Sequence, residues 1–157
     1  MKDEELREQL VDLLEGRGAH AEVVAALEAF PVRLAGERPA GAAHSAWELL
    51  EHMRIAQSDI LEFSKDARFE SPAWPAEYWP KTAAPPDGKA WGRAIAAFKR
   101  DLKELIELVS NPDTDLFAAI PHGEATLLHE ALLVADHNAY HLGQLVMVKK
   151  QLEGLKG

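Results

Sequence analysis

The chain contains no cysteine. That excludes disulfides, thiolate nucleophiles and any zinc site built on sulfur. A transition-metal site would have to be made from histidine and carboxylate. No stretch approaches the ~18 consecutive apolar residues that a membrane span needs. Basic residues are also scarce. Lys and Arg number 17 against 26 Asp and Glu, a formal net charge of −9, and they are scattered rather than gathered on one face. Nucleic acid and anionic membrane surfaces are therefore excluded as partners. The opening Met1-Lys2-Asp3-Glu4-Glu5 leads into no apolar signal-peptide core, so a cytoplasmic location is expected.

What is present is 157 residues, 47% of them apolar, and seven histidines. That length supports one domain with a proper core, expected to span residues 1–157. Leu6, Leu10, Val11, Leu13 and Leu14 recur near helical spacing from Asp3 to Glu15. Gly16-Arg17-Gly18 interrupts the pattern, which resumes with Val23, Val24, Leu27 and Phe30. This predicts one broken helix or two short ones. Residues 31–41 hold two prolines and two glycines and read as a loop.

Ser45 then stands three residues before Glu48, the spacing of a capping box. The helix it opens is predicted to run to about Lys65, with Ala46, Leu49, Leu50, Met53, Ala56, Ile60 and Phe63 inward. His52 lies at the edge of that stripe. Residues 66–87 carry five prolines, Trp74, Trp79 and Tyr78, with no period. So long a connection reads either as a lid over the bundle or as an ordered crossover. Asp87-Gly88 opens a third helix through Trp91, Ile95, Phe98, Leu102, Leu105, Ile106 and Val109, which Asn111-Pro112 ends. The last helix is predicted from near Glu124 to Leu152. The expected fold class is all-α, a four-helix bundle with long crossover connections.

The chemistry concentrates in Asp136-His137-Asn138-Ala139-Tyr140-His141-Leu142-Gly143-Gln144. Four residues along a helix return a side chain to within ~40°, one turn on, so His137 and His141 can share one cation. Spacing alone favours a hydrogen-bonded or exposed pair over a shared ion. The zincin motif has the same spacing, but Asn138 stands where its glutamate would be. Glu130 and Gln144 fall close to the same line and are candidates to orient a histidine through its other nitrogen. Polar groups beside a core must be satisfied, and a metal would satisfy them. His20 and His44 read as solvated or cap-region residues, the latter ~80° around the helix from His52. His122 sits in a loop, and His129 lies well around the last helix from His141.

The segment from Asp136 to Leu145 resembles the C-terminal signature of the DinB-like (DinB/YfiT) superfamily. His44-Ser45-Ala46-Trp47-Glu48-Leu49-Leu50-Glu51-His52-Met53 resembles that family's second helix. Trp74-Pro75, Tyr78-Trp79-Pro80 and Trp91 resemble its crossover and third helix. The resemblance implies a four-helix bundle, often dimeric, whose metal ligands are one histidine of the second helix and two of the last. In this chain they are His52, His137 and His141. It implies a divalent ion (Zn, Ni or Mn) and an open coordination position. It also implies a small-molecule substrate, such as a low-molecular-weight thiol taken by an S-transferase, or hydrolase chemistry. The alternative is a non-catalytic metal- or ligand-binding bundle, which the lack of an obvious general base beside the triad favours.

Overall fold

The computed structural model describes residues 2–154. Five α-helices follow in order: α1 (Lys2–Glu15), α2 (Val23–Glu28), α3 (Ala46–Lys65), α4 (Ala90–Ser110) and α5 (Leu127–Gly154). Single 3-10 turns occupy Val32–Leu34 and Ala76–Tyr78. The only extended pairing among the described residues is an isolated bridge between Ala119 and Thr126. The predicted all-α class holds. No helix among them is long and apolar enough to cross a membrane.

Each long helix is bounded by local chemistry. The Ser45 hydroxyl accepts from the Glu48 N–H at 3.2 Å, and the Glu48 carboxylate accepts from the Ser45 N–H at 2.7 Å, a complete capping box. Arg38 also binds the Glu48 carboxylate. Asp87 accepts from the Lys89 N–H ahead of α4. The C-cap Asn111 is extended, as the following proline requires. The last helix starts three residues later than predicted. Ala125 accepts from Ile120 in the bridged segment, and the Thr126 hydroxyl accepts from the His129 N–H at 3.2 Å, acting as the cap. The expected break after α1 is also present, with Gly16 at φ 74°, a left-handed position suited to glycine.

One core joins all the helices. Leu10 and Leu14 of α1, Leu27 of α2, Leu50 and Met53 of α3, Phe98 and Leu105 of α4, and Leu142 and Leu145 of α5 are all buried in it. Removing such side chains from water stabilises by about 1.5–3 kcal/mol each before the entropy of ordering is counted. Polar groups inside it are directional. The Gln57 amide donates to the Phe98 carbonyl at 2.9 Å, and the Asn138 amide donates to the Gln57 side-chain oxygen at 3.0 Å. These two bonds tie α3 to α4 and α5 to α3. Arg7 of α1, also buried, donates to the carbonyls of Val109, Asn111 and Thr114 at 2.6–2.9 Å, satisfying the C-terminal end of α4.

The 66–87 connection packs across α3 as an ordered strap. Ser45 Oγ donates to the Ala83 carbonyl at 2.5 Å. Gly36 faces Ala84 so closely that a Cβ there would lie 2.4 Å from the Ala84 Cβ. Tyr78 is buried, whereas Trp74 is 73% exposed and meets the Tyr78 ring edge-on at 5.1 Å.

Candidate metal centre

α3 and α5 pack side by side, and three of their histidines meet. His52, His137 and His141 each present one ring nitrogen, all within 4.8 Å of one another. His52 and His141 are 3% and 6% exposed, and His137 is half-buried. Two imidazole nitrogens bound to one ion at ~2.1 Å in tetrahedral geometry stand ~3.4 Å apart. The Nε2 atoms of His52 and His137 are 3.1 Å apart. The grouping therefore lies close to a ligand bite before any ion is considered.

Hydrogen bonds outside the triad decide which nitrogens face inward. His52 Nδ1 lies 2.7 Å from the Tyr78 carbonyl oxygen, which only accepts. His52 therefore carries its proton on Nδ1 and its lone pair on Nε2, facing the other two rings. His141 Nδ1 donates in the same way to the Gln144 side-chain oxygen at 2.7 Å. With the His52 Nε2 an acceptor, the His137 Nε2 is the donor in the 3.1 Å contact between them. His137 is thus the ring whose proton must change nitrogen for all three lone pairs to converge.

Electrostatics keep the triad neutral. Burial, then the neighbouring His141 and His52, push His137 down to about 4. Burial lowers His52, against the pull of the Tyr78 carbonyl, and His44 lowers it further. Burial lowers His141 as well, opposed by Gln144 and reinforced by His52 and His44. At neutral pH a cation would meet three unprotonated imidazoles. The donor set, all nitrogen and held in a compact cluster, suits a borderline divalent ion. The glutamate base of the zincin motif has no counterpart beside His137, since Asn138 is buried in the amide link to Gln57.

The surroundings contain aromatic residues for which the sequence suggested no role at the triad. Trp79 lies face to face with His52 at 3.9 Å and an interplanar angle of 1°. His44 stacks on Trp79 at 3.9 Å. His44 is thus not only a cap-region residue but part of a His44–Trp79–His52 stack. A cavity of about 710 Å³ beside α5 is lined by His44, Tyr140, Gln144 and Met147, with no charged side chain in its wall. The phenol of Tyr78 donates to the Asp59 carboxylate at 2.5 Å, and burial with that carboxylate pushes it up to about 12, so it remains a donor. The sequence marked Tyr78 only as an aromatic of the crossover, because its segment has no period. Trp79 was visible only as one aromatic among several.

Gln144 sits on a triad nitrogen, as its place on the polar line suggested. Glu130 is placed differently. It is 6% exposed, and among the described residues no hydrogen bond links it to the three rings. Burial raises its pKa, and its electrostatic neighbours are His129 and Asp59. The remaining histidines lie away from the cluster. His122 stacks on Phe63 at 4.2 Å and contacts the Asp66 carbonyl, His129 is exposed, and His20 bonds the carbonyl of Ala21.

Comparison with curated proteins and with solved structures found no match. A family model does match, over residues 15–145, which takes in α2 to α4, the connections between the helices, and α5 through both of its triad histidines. By that match the chain belongs to the DinB superfamily.

Proposed function

We propose that this protein is a divalent-metal-dependent enzyme, with His52, His137 and His141 as ligands through Nε2, acting on a small molecule by group transfer or hydrolysis. The observation that carries the reading is the convergence of three neutral imidazoles. Two have their outer nitrogens already committed to the Tyr78 carbonyl and the Gln144 amide. Three protein ligands leave a further position open, the pattern of catalytic rather than structural sites. An ion bound there would supply Lewis acidity, bringing a coordinated water or substrate thiol toward a pKa of ~7. The chain's own residues hold the geometry, and Trp79 covers one face of the His52 ring. A low-molecular-weight thiol is the substrate class to test first.

The deciding experiment is elemental analysis of protein purified without chelator or histidine tag, followed by titration of chelated protein with Zn²⁺, Ni²⁺ and Mn²⁺. The reading expects one ion per chain and loss of binding in His137→Ala with helicity retained. Protein that takes up none of these ions overturns it. Stoichiometric metal with no exchangeable solvent ligand would instead identify a closed, non-catalytic binding site.

A further inference from the structure

We infer that Asp59 and Tyr78 are positioning residues for His52: Asp59 holds the Tyr78 side chain, and the Tyr78 carbonyl then sets the rotamer and tautomer of the His52 ring. The inference rests on the metal reading above for its consequence, but its geometry stands without it.

Tyr78 is bonded at both ends. Its phenol donates to Asp59 Oδ2 at 2.5 Å, and its carbonyl accepts from His52 Nδ1 at 2.7 Å. Asp59 lies seven residues beyond His52 on α3, so the two anchors share a face and stand ~10 Å apart along the axis. One tyrosine, itself buried, spans that distance. The next residue, Trp79, lies flat on the His52 ring at 3.9 Å, with His44 on its other face. The same two residues therefore fix the edge of the imidazole and cover one of its faces.

Attachment of the strap to α3 does not require this arrangement. At its far end the Ser45–Ala83 bond and the close contact of Gly36 with Ala84 hold it independently of Asp59. Substituting Asp59 or Tyr78 should thus loosen the ring that the strap orients while the strap stays attached. Outer partners of metal-bound histidines act in this way, and losing one lowers metal affinity by ~10–100-fold.

The test uses the full chain with Tyr78→Phe, Asp59→Ala, Asp59→Asn and the Tyr78→Phe/Asp59→Ala double variant. Long-range ¹H–¹⁵N spectra of the metal-free proteins report the His52 tautomer, and competition with a chromophoric chelator reports zinc affinity. The parent should show a single Nδ1–H tautomer at His52. Tyr78→Phe and Asp59→Ala should each give a mixture of tautomers and ~10–100-fold weaker zinc binding, and the double variant should be no worse than either single one. Asp59→Asn keeps an oxygen that can accept from the phenol, so it should retain the parent tautomer. If His52 stays purely Nδ1–H in Tyr78→Phe and Asp59→Ala, the inference is wrong. Should the parent take up none of Zn²⁺, Ni²⁺ and Mn²⁺, the metal reading fails, and the tautomer spectra still decide the positioning role.

Discussion

The metal-free triad should make this protein acid-labile, and one substitution should remove part of that lability. The His137 ring is pushed from its ordinary 6.5 down to about 4 by burial and by its two histidine neighbours. Between those values the unfolded chain binds a proton that the folded ring refuses. Stability then rises with pH, so it is fully present above ~6.5 and is lost as pH falls toward 4. Each tenfold loss of proton affinity corresponds to about 1.36 kcal/mol, which sets an upper bound of roughly 3 kcal/mol for this ring. Because the ring is half-buried, solvent screening reduces the expected loss to ~2 kcal/mol. Urea denaturation of chelated protein at half-unit steps from pH 7.5 to 4.5 measures it. His137→Gln keeps a polar side chain and removes the titration, so its stability should fall less steeply over the same range by about that amount. His52 and His141, also lowered by burial, retain part of the slope in the variant. Parallel pH profiles for parent and variant would refute the account of His137 as a buried neutral ring.

Other expectations follow from the same geometry. Zinc at 100 times its dissociation constant should stabilise the fold by ~2.7 kcal/mol, raising the melting temperature by ~5–11 °C, and a chelator should reverse the rise. Arg7→Ala removes a donor to the carbonyls of Val109, Asn111 and Thr114 and should cost ~2 kcal/mol while leaving zinc affinity unchanged, readable by denaturation beside chelator competition. Ser45→Ala removes the acceptor for Glu48 N–H and should cost ~1 kcal/mol. It also loosens the strap at Ala83, so limited trypsinolysis at the exposed Lys81 should quicken. The homodimer expected from the sequence predicts a light-scattering mass of two chains. Tyr140→Glu, on the exposed apolar face of α5 with Leu133 and Met147, should lower it to one chain, whereas a single-chain mass for the parent removes the dimer.

The parts legible in sequence were those with short-range grammar. Ser45 and Glu48 announced the start of α3, because a capping box is complete within four residues. His137 and His141 share a helix face by arithmetic alone. His52 was reached through resemblance, since no local rule says which face of α3 meets α5. The less legible parts depend on the tertiary path. Glu130 falls on the line of His137, but seven residues is also ~10 Å along the axis, and at that level Asp59 of α3 is its neighbour. Tyr78 and Trp79 lie in an aperiodic strap whose course is set by contacts at Gly36 and Ser45. Gln57 drew no reading from the sequence and Asn138 only a negative one, yet the Asn138 amide donates to the Gln57 side-chain oxygen inside the bundle.

That amide relay has a consequence for how the histidines come to stand together. A seam of leucines would tolerate sliding one helix past its neighbour, since apolar contacts have no preferred partner. The run from Asn138 through Gln57 to the Phe98 carbonyl does tell partners apart. A one-turn slip of α5 would strand these amides without partners in a dry interior, at ~1–3 kcal/mol for each abandoned group. Because Asn138 is adjacent to His137, the vernier that sets the helices also sets the imidazoles, so the register that pairs the amides is the one that brings the three rings level.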